Sequence, residues 1–60
     1  MSITVHIITC PSGYVYNIDG RGYFYLTKAI EDGALTIRQA EELVKKTKPL
    51  PEQTLEISDA

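Results

Sequence analysis

The run YVYNIDGRGYFYLT, residues 14–27, decides how this chain folds, because it reads as two short strands hinged at Asp19 and Gly20. Residues 14–18 and 23–27 are aromatic and β-branched, and an Asp-Gly pair between such segments is a strong hairpin signal, since Gly tolerates the positive φ of a tight turn. A loop of two residues (Asp19, Gly20) or four (Asp19 to Gly22) sets Tyr16 opposite Tyr23 or opposite Tyr25. Either count puts Tyr14, Tyr16, Tyr23 and Tyr25 on one face. The other face then carries Val15, Phe24 and Leu26, with Asn17 as its polar member, and that set is expected to line the core. A three-residue loop with a bulge would scatter the tyrosines.

Working outward, residues 3–9 are β-branched except His6, which favours an extended first strand. Ile3, Val5 and Ile7 point to one side of it and Thr4, His6 and Ile8 to the other. Cys10, Pro11, Ser12 and Gly13 form a turn cluster. Downstream, Thr27 can cap a short helical turn over residues 28–32 that ends at Gly33. Thr36 and Gln39 then stand at capping-box spacing and start the main helix. On its wheel Ile37, Ala40, Leu43, Val44 and Thr47 form an apolar stripe. Glu41 with Lys45 and Glu42 with Lys46 are i, i+4 pairs on the solvated side, which gives the lysines a structural role. Pro49 stops this helix, Pro51 extends the linker, and residues 54–58 alternate again, with Leu55 and Ile57, as a last strand at a sheet edge. The expected architecture is a single α+β domain over residues 1–60: a small antiparallel sheet in the order βββαβ, with one main helix on one face.

Composition bounds the rest. Sixty residues support one small core, so such domains lean on disulfides, metals or association. Cys10 and His6 are the only residues of their kinds, which excludes an internal disulfide and leaves a zinc site without a matching ligand. The net charge is −2, with seven acids against four bases in residues 31–60. Lys45, Lys46 and Lys48 are the only cluster of bases for phosphate contacts. No apolar run is long enough to span a bilayer and the first residues lack a secretory pattern, so a cytoplasmic setting without membrane contact is expected.

Catalytic groupings fail on spacing. His6 and Cys10, four strand residues apart, are separated by about 13 Å, far beyond proton-transfer reach. Ser12, His6 and Asp19 come from one meander with no oxyanion hole. Gly20 and Gly22 lack the third glycine and the helix of a phosphate loop. Residues 27–46 have the Ala29 and Gly33 spacing of a helix-turn-helix, but Gln39 and Glu42 stand where its second helix needs apolar residues.

The expected reading is therefore a non-enzymatic protein-interaction module without catalytic residues, metal or cofactor. Its partner-binding surface would be a tyrosine-rich sheet face of Tyr14, Tyr16, Tyr23 and Tyr25, with Ile18 and Arg21 at its end. Tyrosine offers rigid contact area with a polar tip. The partner would be another protein or a second copy. Two alternatives are single-stranded nucleic acid stacked on the same rings, and an acidic nucleic-acid mimic built from Glu31, Asp32, Glu41, Glu42, Glu52, Glu56 and Asp59. In size, mild acidity and absence of catalytic residues the chain resembles the small inhibitors that phages encode against bacterial defences, such as anti-CRISPR proteins. That resemblance is one of general character and implies inhibition of a host or defence protein by direct binding.

Overall fold

The structure, a computed structural model, describes residues 2–58. Its elements are β1 (Ser2–Cys10), β2 (Gly13–Ile18), β3 (Arg21–Tyr23), α1 (Leu26–Glu31), α2 (Ile37–Lys46) and β4 (Glu52–Ser58). The strands form one antiparallel sheet in the order β3-β2-β1-β4, so the last strand lies beside the first. The class is α+β, as expected. The chain order is βββααβ rather than βββαβ, because the short element before Gly33 is a helix in its own right.

Both hairpins close with two-residue loops. Cys10 stands opposite Gly13 across Pro11 and Ser12, and Ile18 opposite Arg21 across Asp19 and Gly20. Asp19 has φ 51° and Gly20 φ 80°, the pair of positive values that defines the type I′ turn and matches the twist of the strands it joins.

The third strand ends at Tyr23 instead of running to Thr27. Phe24 and Tyr25 leave the sheet, and Tyr25 rather than Thr27 is the N-cap of α1, without a side-chain capping bond. Periodicity explains the change. Leu26, Ala29 and Ile30 recur at i, i+3 and i+4, so a helix brings all three against the core. Gly33, at φ 80°, ends it, and the Ala34 N–H donates to the Ala29 carbonyl at 2.9 Å.

Helix α2 has the expected capping box: the Gln39 N–H donates to Thr36 Oγ1 at 3.1 Å and the Thr36 N–H to Gln39 Oε1 at 2.9 Å. Its buried residues are Gln39, Ala40 and Leu43. Gln39 is tolerated there because its amide oxygen is already engaged in the cap. The apolar stripe is narrower than expected, since Ile37 and Val44 are 68% and 63% exposed. Of the two ion pairs read from the helix, Glu42 and Lys46 approach to 3.8 Å.

The core joins Val5, Ile7, Ile18, Tyr23 and Ile57 of the sheet to Ala29, Leu35, Ala40 and Leu43 of the helical layer. Val5, Ile7, Leu43 and Ile57 have no solvent exposure, and full burial of each such side chain is worth about 1.5–3 kcal/mol. The linker into β4 is tied down by polar bonds. The Thr9 N–H donates to the Pro51 carbonyl at 2.9 Å and its hydroxyl to the Leu50 carbonyl, while the Gln53 amide both donates to and accepts from the Lys48 backbone.

Candidate protein-contact surface

Register assigns every strand residue to a face. Ile7 lies opposite Tyr16 and Tyr16 opposite Tyr23, while Val5 lies between Ile18 and Leu55, and Ile3 lies beside Ile57. Successive residues of a strand alternate sides. Tyr14, Tyr16, Ile18 and Tyr23 therefore share a face with Ile3, Val5 and Ile7, and that is the face the helices cover.

The parity argument about the tyrosines is thus right for three of them and their expected exposure is not. Tyr23 is 6% and Ile18 3% exposed, and Tyr14 and Tyr16 are half-buried against the core with ring centroids 6.1 Å apart. Tyr25 is 73% exposed but lies off the sheet, at the start of α1. Arg21 is exposed at the hairpin end. These six residues do not form one free surface. Of the four tyrosine rings only that of Tyr25 is exposed, so they do not form one exposed ring platform. The residues expected in their place are not core either: Phe24 is 66% exposed and Val15 half-buried on the opposite face. Leu26 does pack against the core, but from α1.

Burial has chemical consequences for the rings. Desolvation, with the neighbouring Tyr14 as a smaller cause, raises the Tyr16 pKa above the ordinary 10.0. Tyr23 donates its hydroxyl to Asp32 Oδ2 at 3.2 Å, which ties β3 to the end of α1. The Arg21 pKa is raised above its ordinary value, first by hydrogen bonding with the Tyr23 side chain and further by the nearby carboxylates of Asp32 and Asp19. Beside this group lies a cleft of about 630 Å³ between the start of β1, the β2–β3 turn and the α1–α2 turn, with Asp19, Arg21 and Asp32 in its lining.

The opposite face of the sheet carries Thr4, His6 and Ile8 of β1, Val15 and Asn17 of β2, and Glu52, Thr54 and Glu56 of β4. Ile8 sits between Val15 and Glu52, and His6 between Asn17 and Thr54. No described helix packs on this side. His6 Nε2 and Glu52 Oε2 are 2.8 Å apart, a diagonal cross-strand pair in which both side chains keep substantial exposure. Ile8 is 39% exposed, and with Val15 it makes an apolar pair at the turn end of this face, between the Cys10–Gly13 pair and the polar row of His6, Asn17 and Thr54.

The acids are dispersed. Glu41 and Glu42 belong to α2, in the helical layer, whereas Glu52 and Glu56 lie on the far side of the sheet. Asp59 is outside the described residues. Among the described residues no three His, Cys, Asp or Glu side chains converge as a metal site. None of the described helices is long and apolar enough to cross a membrane. Comparison with known proteins finds no matching family model, no similar curated protein and no similar solved structure. The sequence already held the signal that places the faces: a two-residue loop at Pro11 and Ser12 joins the Ile3, Val5 and Ile7 side of β1 to the tyrosine side of β2.

Proposed function

We propose that the protein is a small non-enzymatic interaction module that acts by direct contact with another protein, through the sheet face that carries Ile8 and Val15. The observation that carries this reading is the uncovered face itself. A sheet needs only one layer to bury an apolar side, and here that layer lies over Val5, Ile7 and Ile57. The other side keeps an Ile–Val pair beside the β1–β2 turn, with Cys10 and Gly13 on one flank and His6, Asn17, Thr54 and Glu52 on the others, an apolar contact with polar neighbours. A role as a phage-type inhibitor of a defence protein is consistent with the size and mild acidity of the chain and rests on that general character.

The test is a comparison of variants on one captured protein. Ile8→Glu places a charge in the patch, while Ile37→Glu alters a more exposed apolar residue on α2. Both should keep the far-ultraviolet circular dichroism of the wild type. The reading requires that a protein captured by the wild-type chain be lost with Ile8→Glu and kept with Ile37→Glu; loss with Ile37→Glu alone would overturn it.

A further inference from the structure

The backbone of β4 carries information that its side chains do not. The Thr9 N–H donates to the Pro51 carbonyl, so these opposed residues are a hydrogen-bonded pair of the β1–β4 ladder. In an antiparallel ladder such pairs alternate. Under the observed register, Gln53, Leu55 and Ile57 therefore direct their N–H and C=O groups at β1. Glu52, Thr54 and Glu56 direct theirs outward. β4 is the outermost strand, and these groups have no strand partner among the described residues. The side chains of the same three residues stand on the uncovered face, so one row of residues presents both free backbone groups and two carboxylates four residues apart.

We propose that the β4 edge binds an extended basic segment of a partner protein by strand addition, with Lys or Arg side chains spaced i and i+4 opposite Glu56 and Glu52. An unpaired edge is a template for another strand, and opposite charges across a strand pair favour it whereas like charges oppose it. The same charges disfavour a second copy as occupant. Pairing two β4 strands about Thr54 sets Glu52 against Glu56 twice, and the registers shifted by one step still gather four carboxylates along one short ladder. The proposal rests on the interaction-module reading and names the chemistry of the partner. It uses β4 rather than Ile8, so the two can fail separately.

The probe is a blocked heptapeptide, Val-Lys-Val-Thr-Val-Lys-Val, titrated at low salt into the full chain labelled with nitrogen-15, beside a peptide with Glu in place of both Lys. Saturable shifts and slowed amide exchange at Glu52, Thr54 and Glu56 are expected with the lysine peptide. The glutamate peptide should bind at least about tenfold more weakly, and the Glu52→Lys, Glu56→Lys double variant should reverse that preference. Thr54→Pro removes one outward N–H without touching the bonds to β1; it should abolish binding while the shifts of β1 amides persist. Equal binding of the two peptides, binding unchanged in Thr54→Pro, or no binding of either peptide would overturn the proposal. So would light scattering that shows a dimer dispersed by Thr54→Pro. Peptide binding retained in Ile8→Glu, with protein capture unaffected by that variant, would sink the Ile8 patch and leave the edge standing. Capture lost with Ile8→Glu when neither peptide binds would do the reverse.

Discussion

The two faces of this sheet differ in composition and in fate. On one, Ile3, Val5, Ile7, Ile18 and Ile57 meet three tyrosines under a pair of helices. On the other, Ile8 and Val15 stand among Thr4, His6, Asn17, Thr54 and two glutamates, with no layer over them. Neighbouring residues Ile7 and Ile8 have the same side chain and the same strand, yet one has no exposure and the other 39%. Side-chain identity does not separate these two residues. The step of one residue along a pleated strand does, because it moves a side chain through the sheet.

The largest expected contrast follows from that pair. Ile7→Ala should cost about 2–5 kcal/mol, the range for emptying a packed core site, which approaches the whole margin of a domain this small. Ile8→Ala should cost well under half as much, and urea unfolding of the two variants measures the difference directly. Comparable losses would mean that the Ile8 side of the sheet is also packed.

A smaller effect sharpens the covered side. Tyr23→Phe removes the hydroxyl that reaches Asp32 at 3.2 Å while keeping the ring, and one such hydrogen bond contributes roughly 1 kcal/mol. Asp32→Asn should behave similarly, and a double-mutant cycle by thermal melting tests whether the two losses are one interaction.

The smallest effect depends on pH. Burial raises the Tyr16 pKa above 10.0, so the folded chain holds that proton more tightly than the unfolded chain. The resulting stabilisation is fully present below pH 10.0, the unfolded value, and is lost as pH rises through the folded pKa. Stability should therefore fall in the alkaline range, and Tyr16→Phe should flatten that fall. An unchanged slope would mean that Tyr16 is as solvated as a free phenol.

Much of this architecture was legible in local chemistry. Asp19 and Gly20 announced a tight turn, Thr36 and Gln39 announced the start of α2, and the β-branched run through Ile7 announced β1. The end of β3 was harder to read, because Tyr23, Phe24 and Tyr25 favour a strand while Leu26, Ala29 and Ile30 favour a helix. Burial of the second set decided in favour of α1. The burial of the tyrosines follows from the rule of opposed positions at two turns, Pro11–Ser12 as well as Asp19–Gly20. Applied twice, it carries the apolar side of β1 into Tyr16 and Tyr23. The exposure of Ile37 and Val44 was not legible, since helical periodicity gives a stripe but not how wide a sheet it meets.

The place of β1 between β2 and β4 also sets an order of events when the chain folds. Its contact with β2 closes across two residues, whereas its contact with β4 joins Ile3 to Ile57 and must wait for both helices to be laid down between them. Local closures form faster than distant ones. A chain emerging from the ribosome thus displays the isoleucine-rich flank of β1 until residues 52–58 arrive, and that interval is when it is most prone to aggregation and gains most from a chaperone.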